Sequence, residues 1–519
     1  MSDAIVKNLN FGSDARKKVY SGIEKLTKAV SSTLGASGLS VILENDKGNP
    51  VITKDGVTVA NNIFLRDPVE NMGATLLKDA ARKTVKEAGD GTTTATVLAH
   101  SILKNAYKAL ETDSSRSLKE GIATGVEKVI SYLEKVAIPV TGDMIDQVAT
   151  ISANNDKELG KLISDAFKSV GNTGVVIMQE TDQPETSIEV VDGVQYEQPL
   201  KSNHFITNQN TGVAELENPY VLISESTIPN IRRVQSVLEH VIKHNKSLLI
   251  IANVEPQVLN TLAMNKMKGN IKVCIVDAPT YGFTKKEKLN DLALMTGATV
   301  INEDLGDDMD LIDPSHLGKA KKVTSNKENT IIQVEKTPEA VKDLIEEIQQ
   351  KQAVEKIPGF KLAHEKRLAL LAAKVSVVKV GANSEIELKE KSDRVEDAIC
   401  ATRAAIKEGI VPGGGVALLN ASFKLEDKST SEEVLTSAIL APYKKILENA
   451  GYEEIRIAGE DGKGIDVVTG NMVNMIDNGI IDPLLVTKSA LINAASVATT
   501  ILSTDCIINN IRLHEGDRK

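Results

Sequence analysis

Tryptophan is absent from this 519-residue chain, and with only seven phenylalanines and eight tyrosines its aromatic share is 3%. An interior without large rings must be filled by aliphatic side chains, and the wealth of Ala, Val, Ile and Leu suits a core of many packed helices. Cysteine is scarcer still. Cys274, Cys400 and Cys506 lie far apart with no CxxC pattern, which excludes a disulfide framework and a cysteine-based structural zinc site and fits a reducing compartment. No stretch approaches the ~20 apolar residues of a membrane span, and the opening "MSDAIVKNLNFGSDARKK" lacks the apolar core of a signal peptide. A cytoplasmic protein with no membrane partner is therefore expected. No long run of Lys and Arg occurs either; 61 basic against 71 acidic residues leave a net charge of −10, which excludes nucleic acid as a partner. Two signatures are missing as well: there is no GxxxxGK[ST], hence no ordinary P-loop, and no HExxH. His240 and His244 have i,i+4 spacing, but without a third candidate ligand nearby they read as a surface pair.

What is present divides the chain by texture. Its length allows three or so domains. The first third is helical by period, with a run from about Ala15 to Ser32 ending at "TLGASG". It is interrupted by "SVILENDKGNPVITKDGVTV", which reads as a hairpin with "NDKGNP" as its turn. From about Gly174 short strands take over: "GVVIMQE", "SIEVVDGVQY", "YVLISE", "SLLIIAN" and "KVCIVDAP", with helical stretches between them. That alternation predicts an α/β domain with parallel pairing. A charged helical stretch follows from about Pro338 to Lys374, broken by "IPGF" at Ile357 to Phe360. Past Ala405 the alanine-rich helical texture of the beginning returns, so the two chain ends are expected to build one domain around an inserted α/β domain.

The stretch "EAGDGTTTATVLAH", Glu87 to His100, carries the most chemistry. Ala95, Leu98, Ala99, Ile102, Leu103, Ala106 and Leu110 mark one buried helix face, so the three threonines fall on its first turn. A glycine-lined helix N-terminus offers free N–H groups and the positive end of the helix dipole, which suit a phosphate. Asp90 would repel that phosphate unless a magnesium ion stood between them. The plainer alternative is capping, with Asp90 or a threonine as N-cap. "TLGASG", Thr33 to Gly38, offers backbone N–H groups or simply a helix C-cap. "VPGGGVALL", Val411 to Leu419, is a second anion nest or a linker before a helix. Asp397, in "RVEDAICATRAAI", sits on an amphipathic helix, where acids commonly form the solvated face.

Taken in order, "TLGASG", "ITKDGVTVA", "AGDGTTTATVLA", "TISANND", "RVEDAICATRAA", "EGIVPGGGVAL" and "NMIDNGIIDPLLVTKSAL" resemble the group I chaperonins, the bacterial GroEL type, over nearly the entire chain. The resemblance implies an α+β multidomain chaperonin fold. A mostly helical equatorial ATPase domain would come from residues 1–134 and 408–519, a small α/β intermediate domain from 135–191 and 376–407, and an inserted α/β apical domain from 192–375. It implies an ATP hydrolase that binds unfolded or misfolded clients and encloses them for folding in a homo-oligomeric ring of seven subunits, single or double, with a co-chaperonin lid. The cofactors implied are ATP, Mg2+ and K+. By the same carry-over Asp90 is the magnesium ligand, and Gly91, Thr92, Thr93 and Thr94 donate to phosphate oxygens. Thr33, Leu34, Gly35 and Ala36 border the nucleotide, and the Lys54 carbonyl lies near a potassium site. Ile151, Gly414, Asp466 and Asp482 line the base and ribose side. Asp397 orients the attacking water, arriving with the intermediate domain, and Asp55 is the second acid near that water. The apical groove maps to Leu200, His204, Phe205, Gln235, Leu238, Leu259, Ala263 and Met264, although core packing of two α/β helices accounts for some of these as well.

The chain departs from that family pattern at several places. His204 and Gln235 are polar where an aromatic and a leucine are usual, Asp466 replaces an asparagine, and Ala36 and Ser37 replace a proline and a lysine. Ala373 and Lys374 stand where hinge glycines are common, opposite Gly193. The stretch from Tyr452 to Gly464 is shorter than usual, although Lys444 and Glu454 keep opposite charges there, and no Gly-Met tail follows "HEGDRK". These departures leave a second reading open: a ring that encloses or scaffolds a dedicated client, with weak or uncoupled ATPase.

Overall fold

The computed structural model describes the chain except residues 1–6, 45–47, 143, 154–155, 172–174, 182, 209–211, 280–283, 355–363, 365–366, 369–370, 372–373, 426–428, 454–460 and 511–519. The "IPGF" break, Ala373 and Glu454 lie outside the described residues. The chain forms two units, one from Met1–Ser164 with Ala382–Lys519, the other from Asp165–Gly381.

The first unit is mostly helical and is built from both chain ends. Strand β1 (Lys7–Phe11) leads into α1 (Gly12–Ser31); the hairpin β2 (Val41–Glu44) and β3 (Pro50–Thr53) precedes α2 (Gly56–Asn62), α3 (Pro68–Ala88), α4 (Thr92–Ala109), α5 (Ser115–Val136) and α6 (Met144–Ser152). Helix α7 (Lys157–Val170) runs across the division at Ser164. Local chemistry sets these ends. Asp67 caps α3 by accepting the amides of Val69 at 2.8 Å and Glu70 at 3.1 Å, with Pro68 in the first turn, and Gly89 closes the helix in the left-handed region at φ 77°.

The inserted unit holds two sheets. Strands β4 (Val175–Glu180), β5 (Ser187–Tyr196), β6 (Ala214–Glu217), β12 (Lys322–Ser325), β13 (Thr330–Val334) and β14 (Lys374–Val380) form a six-stranded sheet in the order β4-β14-β5-β13-β12-β6. Strands β7 (Tyr220–Ser224), β8 (Ser247–Ile251), β9 (Lys272–Val276), β10 (Val300–Ile301) and β11 (Gly318–Lys319) form the other. Parallel pairing holds for β10, β7, β8 and β9, whose connections carry α8 (Gln235–Lys243), α9 (Pro256–Met267) and α10 (Thr284–Thr296). The six-stranded sheet departs from the expectation: only β14 with β4 is parallel, and β12 and β13, joined by a short turn with no room for a crossover, are necessarily antiparallel. Helix α11 (Glu339–Val354) follows β13, and its Val341 and Ile348 enter the unit's core.

The chain then returns to the first unit with α12 (Glu385–Glu408), β15 (Ile410–Pro412), α13 (Val416–Lys424), α14 (Thr430–Ala438), α15 (Ala441–Asn449), β16 (Lys463–Ile465), β17 (Met472–Asn474), β18 (Ile481–Pro483), α16 (Leu484–Leu502) and β19 (Cys506–Asn510). β19 pairs antiparallel with β1, from Lys7 against Asn510 to Phe11 against Cys506, which ties the two ends together. Leu98, Ile102 and Leu103 of α4 are wholly buried with Ile23, Leu26, Leu77 and Leu491. One expectation fails here. Helix α16 is long and apolar enough, by length and composition alone, to cross a membrane; Lys488 and Asn493 break up the run and hide its overall apolarity. In the fold it packs against α3, α4 and α5, and 61% of its most apolar 18-residue window is buried, so its apolar surface serves the core.

Candidate functional site

Two left-handed glycines frame Asp90: Gly89 ends α3, and Gly91, at φ 95°, is the N-cap of α4. A Cβ on Gly91 would lie 2.9 Å from Val486 Cγ1 and 3.2 Å from Thr84 Cγ2, so both backbone angle and space require glycine. No side chain caps α4, which decides against capping by Asp90 or a threonine and leaves the amides of the first turn turned outward. The Thr92 hydroxyl is buried and has no hydrogen-bond partner. A buried hydroxyl without a partner is costly, and here it stands on the turn best suited to an anion.

Asp55 precedes α2 and caps it, Oδ1 accepting the Val57 amide at 3.0 Å and Oδ2 the Thr58 amide at 2.7 Å and hydroxyl at 2.6 Å. Its neighbour Gly56 presses on α4: a Cβ there would fall 2.4 Å from Thr93 Oγ1. Asp482 lies on β18, opposite Val411 of β15, and its carboxylate accepts the amides of Gly414 and Gly415, both left-handed at φ 64° and 79°. Asp397 projects from α12 toward the same acids.

The electrostatics show that these groups converge. Burial, then the charges of Asp90, Asp55, Glu396 and Asp393, hold Asp397 well above the usual carboxylate range. Burial also raises Asp90, against the lowering effect of the Gly91 amide, and Asp55 raises it further. Asp482 is pushed up to about 6 by burial and by Asp90. Asp90 and Asp397 are nevertheless exposed, so it is the protein packed around them, not a sealed interior, that disfavours their charge. Such a cluster calls for a cation. Among the described residues no three His, Cys, Asp or Glu side chains could hold a metal by themselves. The residues do fit a hard ion that takes one carboxylate and completes its oxygen shell with phosphates and water, as Mg2+ does.

The remaining sequence-predicted residues sit on neighbouring elements. Thr33, Leu34, Gly35 and Ala36 form the loop after α1, held to α15 by Asn449, whose Nδ2 donates to Ser31 O and Leu34 O at 2.9 Å each. Lys54 is exposed directly before Asp55. Ile151 of α6 packs with Ile410 and Ile481, beside the strand that carries Asp482. Asp466 is engaged by its own loop, accepting from the Val468 amide at 3.0 Å and the Thr469 hydroxyl at 2.6 Å. Sequence reasoning missed Cys400. It packs against Gly89, and its i,i+3 spacing from Asp397 was the available signal.

In the inserted unit, α8 and α9 divide the expected groove. Leu200, Phe205, Leu238 and Ala263 are buried in the core, while Leu259 is half-buried and His204, Gln235 and Met264 are exposed. Ile242 and Met267, which the sequence reading did not name, add exposed apolar surface on the same two helices. His240 of α8 and His244, its C-cap, lie side by side with ring centroids 4.2 Å apart and the planes tilted by 35°.

Residues 26–512 match the model of the TCP-1/cpn60 chaperonin family. Among solved structures the chain is similar to the chaperonin gp146 from the bacteriophage EL 2 (Pseudomonas aeruginosa), crystallised in presence of ATP-BeFx. In crystal form II the TM-score is 0.74 at 24% identity, covering 98% of this chain and 100% of that one. In crystal form I the TM-score is 0.66 at 23% identity, covering 97% and 99%. The family match over nearly the whole length, together with the shared fold, means that this chain belongs to the TCP-1/cpn60 chaperonin family.

Proposed function

We propose that the chain is an ATP-hydrolysing chaperonin subunit that grips non-native proteins on α8 and α9 and encloses them in a ring. The observation that carries this reading is the uncapped start of α4, with an unpartnered Thr92 hydroxyl beside a cluster of mutually repelling acids. The residues carried over from the family act as follows. Asp90 takes the cation, and the Gly91 to Thr94 turn binds phosphate oxygens. Thr33 to Ala36, Ile151, Gly414, Asp466 and Asp482 surround the rest of the nucleotide, with the Lys54 carbonyl at a potassium ion. Bound Mg2+ would supply the charge that lets acid and phosphate approach each other. Asp397 then orients water for attack; burial and the neighbouring acids hold its carboxyl well above the usual range, and a cation bound at Asp90 would offset the charge of that cluster. Asp55, fixed by its two capping bonds, serves as a stationary second acid.

Residues 135–191 and 376–407 act in this reading as the intermediate domain: α6 packs on α12 in the first unit, and β4, β14 and β5 pair in the inserted one. Exposed apolar residues supply surface for ring contacts, namely Ile42 and Ile52 facing each other across the hairpin and Leu9, Phe11 and Ile508 on the β1–β19 ribbon. Asp397→Ala should bind ATP with near-normal affinity yet lose most turnover; normal hydrolysis by that variant would refute the assignment.

A second reading is an enclosure for a dedicated client with weakly coupled ATPase. It is favoured by the groove, where half of the expected gripping residues are buried and His204 and Gln235 are polar. Steady-state ATP turnover with and without an unfolded protein separates the two: stimulation supports the first, indifference the second.

A further inference from the structure

Gly89 lies so close to α12 that a Cβ built on it would fall 2.4 Å from Cys400 Cβ and 2.9 Å from Sγ. The thiol-bearing carbon therefore rests directly on the backbone that turns into Asp90. Ala404, one turn further along α12, packs with Ala88 and Val486, and Val486 in turn faces Gly91. Asp397 precedes Cys400 by three residues and so shares this face of the helix. A helix transmits a shift at one turn to the next almost undiminished, and reaction rate is sensitive to such shifts.

We infer that Cys400 is a positioning residue for hydrolysis: its small side chain sets how closely α12 seats on Gly89, and thereby where Asp397 stands relative to Asp90. This rests on the ATPase reading above. The role is one of volume, because burial holds the thiol protonated, with a pKa pushed up to about 11.

The test compares Cys400→Ser and Cys400→Leu with the wild type in kcat and KM for ATP, in Kd for a non-hydrolysable ATP analogue, and in thermal melting. Serine should keep kcat within a factor of about two. Leucine should lower kcat at least ~10-fold while leaving the analogue Kd within about threefold, since it displaces the water-orienting acid and leaves the phosphate turn in place. If Cys400→Leu fails to melt cooperatively, Cys400→Val, which adds less bulk at the same contact, is measured in its place and should lower kcat several-fold with the analogue Kd again within about threefold. Wild-type kcat in whichever of these two variants folds overturns this inference alone. Equal losses of kcat and affinity overturn it in favour of simple site collapse. A wild-type protein that neither binds nor hydrolyses ATP overturns the ATPase reading and this inference with it.

Discussion

Single residues carry the electrostatic argument. Asp482 illustrates its sign: the folded pKa of about 6 lies above the ordinary carboxylate value, so folding favours the protonated form. Its contribution to stability is full below about pH 4 and is lost as pH rises through about 6. Asp482→Asn should therefore melt higher than the wild type at pH 7.5, with the difference vanishing near pH 4, and should bind ATP less tightly; a melting difference independent of pH would contradict this. Thr92→Val makes a complementary case. Removing the unpartnered buried hydroxyl should leave the ligand-free protein as stable or up to about 1–3 kcal/mol more so, while weakening ATP binding. Calorimetric melting and nucleotide titration of the same sample check both halves. The individual acids could be named from sequence because the motifs around them are distinctive. That Asp55 spends both oxygens on capping α2 could not, since an N-cap and a catalytic acid look alike in a linear string.

Among the elements, α4 was read correctly because one helix period places Leu98, Ile102 and Leu103 together, and all three are wholly buried. Leu98→Ala should cost about 2–5 kcal/mol, measurable by denaturant titration. Gly91→Ala combines a left-handed backbone with a 2.9 Å clash against Val486 and should cost about 1–3 kcal/mol while disrupting nucleotide binding. A neutral result would mean that the loop is free to adopt another conformation. The strands were visible as apolar runs, but their partners were not. β5 lies between β13 and β14, far along the chain from both, and nothing local selects such neighbours. Helix α16 was misjudged for a related reason: scattered polar residues concealed an apolar element that only its packing against three helices accounts for.

In the whole molecule, the inserted unit begins with the last turn and a half of α7, its first and last strands β4 and β14 are adjacent and parallel in one sheet, and it carries its own core. A fragment of residues 165–381 should accordingly fold alone and melt cooperatively by circular dichroism; a molten fragment would show that its core depends on the rest of the chain. Conversely, deleting residues 506–519 removes the partner of β1 and should destabilise the first unit even though the deletion is distant from the site.

The sequence by itself determined the family, the helical character of both chain ends, and the glycine, threonine and aspartate motif at the start of α4 on which the proposed phosphate site rests. Those depend on local spacing and backbone geometry, which a linear order of residues encodes directly. Only the tertiary structure decided that Asp90 and Asp55 raise the pKa of Asp397 and that Asp90 raises that of Asp482, that Cys400 rests on Gly89, and that half the expected groove is core. Burial and the distance between charges arise only when segments hundreds of residues apart are packed together, and no local pattern contains that information.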